Sequence, residues 1–530
     1  MNITLCQLRP RLGDIQHNLQ LAVTEIEKTP DNIIVFPELF LSGYPPTDEL
    51  GFSDVSDEIT AAISQLKVLS KSISGLIIIG TPYFDGHHWR NAGLAIAGGE
   101  IIHRHYKVCL PNYDVFNDAR YFVSGTQAAV FSWNNQKIAV LICEDIWADV
   151  NKMNYSMDPV NALNDQDVGI VFHLTASPFE VDKRQQRLAQ LKRVALALNA
   201  QVVSVNQVGG YADILFDGQS MVVESSGELM ATFPAFESRS YAIEDQSISI
   251  TDVDSPEHQM IKAISFGLNE YMAQSGFSSV LVGLSGGIDS AVVAALAVHA
   301  IGKDKVTLVT LPTRFNSNET KHDAIDMANR LGCELIQLPI ETYRTMMEAD
   351  ISLGVNANEL NDIAKQNIQA RLRGLILMAI SNETGALLLT TGNKSELAMG
   401  YATLYGDMCG GLNIIGDCFK TEVFKMAHVL NEQHDWIPAG IINRPPSAEL
   451  APNQKDEDSL PPYDTLDQIL IQRMQHGFSL NQLLQMNDKQ DVVLVLDRLR
   501  KNEFKRFQSP PILKLSSKSF GRGWQFPLVR

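Results

Sequence analysis

The chain has 530 residues, 45% hydrophobic and 20% charged, with a formal net charge of −18. That length calls for two or more domains, and the composition is that of a soluble globular protein. So acidic a balance argues against a nucleic-acid surface, which needs clustered Lys and Arg; small-molecule substrates need only local positive groups.

The start, Met1-Asn2-Ile3-Thr4-Leu5, lacks the basic segment and long apolar stretch of a signal peptide. No apolar run approaches the roughly 18 residues of a membrane span. Cysteines 6, 109, 143, 333, 409 and 418 show no metal-type Cys-x-x-Cys spacing and are expected to be reduced thiols in a cytoplasmic protein.

In the first half, apolar runs predict strands over 3–7, 32–36, 76–80, 93–97, 100–106, 137–142, 168–173 and 201–206. Amphipathic stretches predict helices over about 15–28, 53–72, 158–165 and 182–199. The expectation is a two-layered sheet core flanked by helices. Glu38, Lys107 and Cys143 each follow a predicted strand, where catalytic groups sit in such folds. Taken singly they are weak signals, since a cysteine after an apolar run is more often a core thiol.

Phe36-Pro37-Glu38-Leu39, Tyr106-Lys107-Val108-Cys109-Leu110-Pro111-Asn112-Tyr113 and Ile142-Cys143-Glu144-Asp145-Ile146-Trp147 together resemble the nitrilase/amidase superfamily over roughly residues 1–240. The resemblance implies an α-β-β-α sandwich that hydrolyses an amide. Cys143 would be the nucleophile, Glu38 the general base and Lys107 the oxyanion stabiliser. Leu110-Pro111-Asn112-Tyr113 and Ala176-Ser177-Pro178-Phe179 are similar to the glutamine pocket of this superfamily's glutaminase domains. Tyr113, Glu144, Trp147, Ser177 and Lys183 would then line it, with Lys183 facing the glutamine carboxylate and Glu144 its ammonium. One departure lies at Phe116-Asn117-Asp118, where the family usually has Phe-Asp-Glu; Asp118 stays outside the expected catalytic set.

The first domain is expected over 1–245. Polar residues from 237 to 255 read as a linker or an edge strand, with the linker at 246–256. The second domain, 257–530, starts with a helix over 257–275. Strands follow over 280–284, 305–311, 334–339 and 386–391, and helices over 291–300 and 319–331, with another opened by Asn367. This alternation argues a Rossmann-like parallel sheet.

Between the strand ending at Leu284 and the following helix stands Ser285-Gly286-Gly287-Ile288-Asp289-Ser290. Its glycines allow close approach of a ligand, and its amides with the helix N-terminus form an anion cradle. Without a Lys it is no Walker A loop, and it does not fit Gly-x-Gly-x-x-Gly. It resembles the pyrophosphate loop of the N-type ATP pyrophosphatases, which adenylate a carboxyl or carbonyl oxygen.

Asn367-Ile368-Gln369-Ala370-Arg371, Thr391-Gly392-Asn393-Lys394-Ser395-Glu396, Gly400 to Gly411, Phe419-Lys420-Thr421, Arg444 to Gln454 and Phe504-Lys505-Arg506 resemble the NAD synthetases over most of 257–530. The resemblance implies an ATP site of Gly283, Leu284, Ser285, Gly286, Gly287, Ile288, Asp289, Ser290, Arg314, Thr391, Lys394 and Lys420. It implies a deamido-NAD site of Asn367, Arg371, Glu396, Asp407, Ser447 and Lys505, with Asp407 and Lys505 near the pyridine ring. Asp289 and Glu396 would share Mg²⁺ on the triphosphate. Gln366 and Gly416 depart from the usual Glu and Lys, so one positive contact is expected to be missing. The Pro-rich stretch 443–462 reads as a mobile lid or partner-contact loop.

Two such domains imply ammonia released from glutamine for amidation of nicotinic acid adenine dinucleotide through an acyl-adenylate, with transfer through a tunnel. Guanylate and asparagine synthetases use other glutaminase types, and a nucleotide-sensing protein with a dead hydrolase would not need the intact Cys143 set. No nucleic acid or membrane partner is expected. The family commonly assembles through its synthetase domains, so a homo-oligomer of at least two copies is implied.

Overall fold

The computed structural model describes residues 2–148, 153–243, 254–447, 449–451 and 456–529. The chain forms two compact units, Met1–Val253 and Asp254–Arg530. Of the expected linker at 246–256, residues up to 253 lie outside the described ones. From Pro256 the chain is helical, capped by Ser255, whose side chain accepts from His258 N.

The strands of the first unit are β1 (Ile3–Gln7), β2 (Ile33–Val35), β3 (Leu76–Phe84), β4 (Trp89–Ala97), β5 (Glu100–Tyr106), β6 (Val130–Trp133), β7 (Gln136–Ile142), β8 (Ile170–Thr175), β9 (Gln201–Asn206), β10 (Val208–Tyr211), β11 (Ile214–Asp217), β12 (Met221–Val223), β13 (Leu229–Thr232) and β14 (Arg239–Ala242). They build two six-stranded sheets, β14-β1-β2-β3-β4-β5 and β13-β12-β9-β8-β7-β6, and the hairpin β10-β11. Period-two alternation assigns each strand's side chains to two apolar layers. Ile33, Val35, Leu76 and Ile78 face inward with Val140, Phe172 and Val205 between the sheets. Ile34, Phe36, Ile77 and Ile79 face outward against Leu19, Ala22, Ile26, Ile59 and Ile63 of helices Ile15–Lys28 and Ser53–Leu69. Across the second sheet, Leu141, Val171 and Val202 pack on Leu191, Val194 and Ala195 of helix Lys183–Leu198. Sheets covered on both faces explain why these strands read as unbroken apolar runs. The architecture is a helix-sheet-sheet-helix sandwich.

One expectation for this unit is corrected. The helix predicted at 158–165 is a single turn, Asn161–Leu163. Pro159 lacks an N–H, and Asp158 Oδ1 captures the Val160 and Asn161 amides at 2.9 and 3.2 Å. Within the polar stretch after 237, β14 is a real edge strand, antiparallel to β1 with Leu5 opposite Tyr241.

The second unit carries β15 (Val280–Gly283), β16 (Val306–Thr310), β17 (Glu334–Gln337), β18 (Leu387–Thr390) and β19 (Leu412–Asn413), ordered β17-β16-β15-β18-β19. Every pairing is parallel. The chain runs outward from β15 to β17, then returns to β18 on β15's other side. That reversal opens a crevice beyond the carboxyl ends of β15 and β18. Helix Ile288–Ile301 is buried from Ile288 to Val298 apart from Asp289, as its unbroken apolar sequence requires. Asn367 does not open its helix, which runs Asp362–Thr384 and starts at the Asn361 cap, where the side chain accepts from Ala364 N.

Two candidate catalytic sites

Glu38, Lys107 and Cys143 follow the ends of β2, β5 and β7. Lys107 Nζ donates to Glu38 Oε1 at 2.7 Å and to Asp118 Oδ2 at 2.6 Å, all three side chains being fully buried. Asn91 Nδ2 donates to Glu38 Oε1 at 2.7 Å and the Ala176 amide to Oε2 at 3.1 Å. Tyr44 OH donates to Asp118 Oδ1 at 2.8 Å. Asp118, outside the expected set, is thus as close to the lysine as the expected base. The shorter carboxylate reaches because its own backbone amide is pinned to Pro111 O.

Burial acts against the Lys107 ammonium, but Asp118 and Glu38 outweigh it and hold the lysine charged, well above its ordinary value. Burial raises the Glu38 carboxyl, with Lys107 opposing. Burial and the neighbouring Glu38 push the Cys143 thiol up. The resting nucleophile is therefore a neutral thiol, and its proton must leave as the substrate is attacked.

Cys143 has a left-handed φ of +43°, a strain of about 1–3 kcal/mol for a residue with a Cβ. Its surroundings hold it there. The Cys143 carbonyl accepts from His173 Nε2 at 3.1 Å, and His173 Nδ1 pairs with Ser204 Oγ at 2.9 Å. Burial keeps that imidazole neutral, its pKa lowered to about 4. Asp145 Oδ1 accepts from the amides of Val108 and Cys109, and Oδ2 from Ile142 N and His105 Nε2, all at 2.7–3.0 Å. One carboxylate thereby ties the loop of Lys107 to the strand end that presents Cys143.

Among the residues expected to hold glutamine, Tyr113 OH donates to Glu144 Oε2 at 3.0 Å. Lys183 Nζ lies 5.6 Å from the centre of the Trp147 ring and 3.5 Å from Glu180. The Ser177 amide donates to Asn206 Oδ1 at 2.9 Å, one residue beyond the amide that reaches Glu38. Tyr155, unmarked in the sequence, donates to Glu144 Oε1 at 2.8 Å.

In the second unit a cavity of about 510 Å³ opens at the crevice. The whole loop from Gly283 to Ser290 lines it, with Thr391, Lys420, Asn367, Glu396, Asp407, Ser447 and Lys505. Gly286 has φ +85°, and a Cβ there would lie 2.4 Å from Thr320 O, so only glycine fits. Lys420 Nζ bridges Asp289 Oδ2 at 2.5 Å and Glu396 Oε1 at 3.1 Å. Burial and Asp289 raise the Glu396 carboxyl, with Lys420 opposing. Two hard carboxylates crowded beside a nucleotide-sized cavity suit a divalent cation whose other ligands are phosphate oxygens and water. Among the described residues no larger acidic or His/Cys cluster could bind a metal by itself. Lys505 Nζ donates to the Gly400 and Ala402 carbonyls at 2.7 and 2.8 Å, and Asp407 accepts from the Thr403 amide at 2.6 Å.

Three expected contacts lie elsewhere. Arg314 stands away from the cavity lining, its side chain 64% exposed, 3.6 Å from Glu341 and over the Phe315 ring. Arg371 donates to Leu404 O and also misses the cavity, because Gln366, Asn367, Ala370, Arg373, Gly374 and Leu377 form the helix face that lines it. Arg373 is the arginine on that face; burial lowers its pKa to about 10. Lys394 is not among the residues lining the cavity. Its ammonium has three donors, and Asp417, Ser516 Oγ and Lys518 O take them at 2.6–2.8 Å. Gly416 is explained by packing, since a Cβ there would meet Asn413 and Ile512 within 3 Å. Arg444 and Glu449 were not assigned from the sequence. Arg444 donates to Gly286 O and pairs with Asp323. Glu449 accepts from Thr320 Oγ1 and Asn316 Nδ2 at 2.7 and 2.9 Å.

Two family models match the chain: carbon-nitrogen hydrolase over residues 2–262 and NAD synthase over 260–509. The chain is similar to glutamine-dependent NAD(+) synthetases of Synechocystis sp., at 38% identity over 100% of this chain and 98% of that protein, and Thermotoga maritima, at 35% over 100% and 98%. A solved structure of such a synthetase from Acinetobacter baumannii, in complex with ADP, is 33% identical over 99% of this chain and 98% of its own, with a TM-score of 0.78. One from Cytophaga hutchinsonii shares the fold at a TM-score of 0.83 and 20% identity, over 100% and 98%.

Proposed function

The chain belongs to the glutamine-dependent NAD(+) synthetases, and from that premise we propose how its residues amidate deamido-NAD with glutamine. The observation that carries the reading is that one chain holds both a buried Glu38–Lys107 pair beside Cys143 and a glycine-loop cavity lined by Asp289, Glu396 and Lys420.

In the first unit, Cys143 Sγ attacks the glutamine carboxamide carbon while Glu38 takes the thiol proton. Lys107 faces the oxyanion as it forms. Collapse returns the proton from Glu38 to the departing nitrogen as ammonia, leaving a thioester. Glu38 then deprotonates the water that releases glutamate. Asp118 keeps Lys107 charged while Glu38 cycles. Tyr113 and Tyr155 hold Glu144 for the glutamine ammonium, Lys183 takes its carboxylate, and Trp147 and Ser177 complete the pocket.

In the second unit, the loop amides from Gly283 to Ser290 cradle the ATP phosphates, with Lys420, Arg373 and Arg444 among the cations lining the cavity and Thr391 at the strand end. Asp289 and Glu396 would hold Mg²⁺, which when bound screens the triphosphate charge. The pyridine carboxylate of deamido-NAD attacks the α-phosphorus and expels diphosphate. Ammonia then attacks the acyl-adenylate and expels AMP. Asn367, Asp407, Ser447 and Lys505 orient the dinucleotide.

The protein acts in the cytoplasm as a homo-oligomer. Exposed Tyr343, Met346, Leu353, Val355 and Leu375 on helices Glu341–Gly354 and Asp362–Thr384 and the residue after the first support association through the second unit. Mass spectrometry of a reaction supplied with glutamine, ATP and deamido-NAD tests the chemistry: NAD, glutamate, AMP and diphosphate are expected. ADP in place of AMP would overturn it.

A further inference from the structure

Lys394 stands off the cavity lining, and its partners point to a role other than contact with ATP. Its side chain and that of Asp417 are both wholly buried, at 2.7 Å. Asp417 Oδ2 also accepts from the Leu515 and Ser516 amides at 2.7 Å each, and Oδ1 from Ser516 Oγ at 3.0 Å. Ser516 Oγ receives from Lys394 Nζ at 2.8 Å while donating to Asp417. The charged pair thus clasps the C-terminal segment 512–519, whose Ile512, Leu513 and Leu515 are buried.

The other end of the clasp is the ATP cavity. Asn393, the neighbour of Lys394, donates from Nδ2 to Asp289 Oδ1 at 2.8 Å and from its own amide to Glu396 Oε2 at 3.3 Å. The Lys394 amide donates to Cys418 O at 2.8 Å. Ser395 Oγ accepts the Lys420 amide at 2.9 Å and bonds Asp467, which also takes the Thr421 amide. Every residue from 393 to 396 is therefore latched. A buried ammonium with all donors used costs less to keep fixed than to move, since any shift exposes an unpaired charge.

We propose that Lys394 is a positioning residue: through Asp417 and Ser516 it makes the C-terminal segment 512–519 part of the ATP-activating site, by holding Asn393 and Glu396 against Asp289 and Lys420. The proposal rests on the adenylating role given to that cavity. Its predicted signature is two-way. ATP binding slows amide exchange at Leu515 and Ser516, and loosening the clasp speeds exchange in 284–290.

The test compares full-length wild type, Ser516→Ala and Lys394→Met by hydrogen exchange, ATP calorimetry and ammonia-driven NAD synthesis. Ser516→Ala leaves the ion pair intact. It is expected to lower kcat about tenfold and to speed exchange in both segments, with ATP affinity changed less than about threefold. The proposal is overturned if exchange in 512–519 speeds up while 284–290 and kcat stay as in wild type. It is also overturned if Lys394→Met weakens ATP binding with exchange in 512–519 unchanged, as a phosphate contact would. Should Lys394→Met not fold, Ser516→Ala decides alone. Absence of NAD formation by wild type would instead defeat the adenylating role; ATP-linked protection of Leu515 and Ser516 would still report on the clasp.

Discussion

One methyl group on Gly286 should disable the ATP cavity. At φ +85° an alanine costs about 1–2 kcal/mol in backbone strain alone. Its Cβ would sit 2.4 Å from Thr320 O, and Thr320 is pinned in turn by Glu449, so the loop rather than its neighbour must yield. Gly286→Ala is expected to weaken ATP binding by calorimetry at least tenfold, about 1.4 kcal/mol, and to lower the melting temperature by a few degrees. A different residue, His173, makes a pH prediction. Its folded pKa of about 4 lies below the unfolded value of about 6.5, so between those values the unfolded chain binds the extra proton. Stability from this group is fully present above pH 6.5 and is lost as pH falls toward 4, by up to about 3 kcal/mol. Urea midpoints measured at pH 6.5 and 4.5 should therefore differ less in His173→Gln than in wild type. An unchanged difference would remove His173 from the account of acid sensitivity.

At the scale of elements, the Asp145 carboxylate ties two strand ends together, and its replacement by Asn is informative. Burial opposes its charge, yet the His105 pairing and backbone amides hold its carboxyl below the ordinary range. In Asp145→Asn one oxygen becomes an NH₂ group. His105 can change tautomer to accept from it, but one backbone amide then faces a donor, costing about 1–3 kcal/mol. Because Val108 and Ile142 flank Lys107 and Cys143, glutamine-driven synthesis should fall about 10²-fold while ammonia-driven synthesis stays near wild type; equal loss of both would show a global defect. The Asp145 clasp also shows what the sequence discloses. Long strands buried on both faces, such as β3 and β7, are legible because continuous apolar runs have few other homes. Short edges such as β6 and β14 carry no such run. The Ser285–Ser290 loop is legible because its chemistry is local. That Arg371 and Lys394 stand off the cavity lining was not legible, because a basic residue in a ligand-binding motif looks the same whether it faces the cavity, the solvent or a buried carboxylate. Helix phase settles the first, and the second depends on a segment more than a hundred residues away. Asp118 was passed over because side-chain length was judged without knowing how its backbone is held against Pro111.

For the whole molecule, the question is whether the ammonia made at Cys143 is the ammonia used at the glycine loop. The two donors separate the steps cleanly. Only NH₃ is nucleophilic, and near neutral pH nearly all dissolved ammonia is ammonium, so synthesis fed with ammonium salts should rise about tenfold per pH unit through the neutral range. Glutamine delivers its nitrogen at Cys143, where Glu38 returns the proton to the leaving group, so the product starts as NH₃ whatever the bulk pH. If it reaches the acyl-adenylate without equilibrating with water, glutamine-driven synthesis should have a much flatter profile over the same range. Cys143→Ala supplies the control, since it keeps the Glu38–Lys107–Asp118 pairing but has no thiol. It should give no NAD from glutamine at any pH and should follow the wild-type ammonium profile. Initial rates of NAD formation from pH 6.5 to 8.5 with each donor make the comparison. A glutamine profile as steep as the ammonium one would mean that the two sites share a chain but exchange ammonia through the solvent. Loss of both activities in Cys143→Ala would overturn the division of labour between the two units.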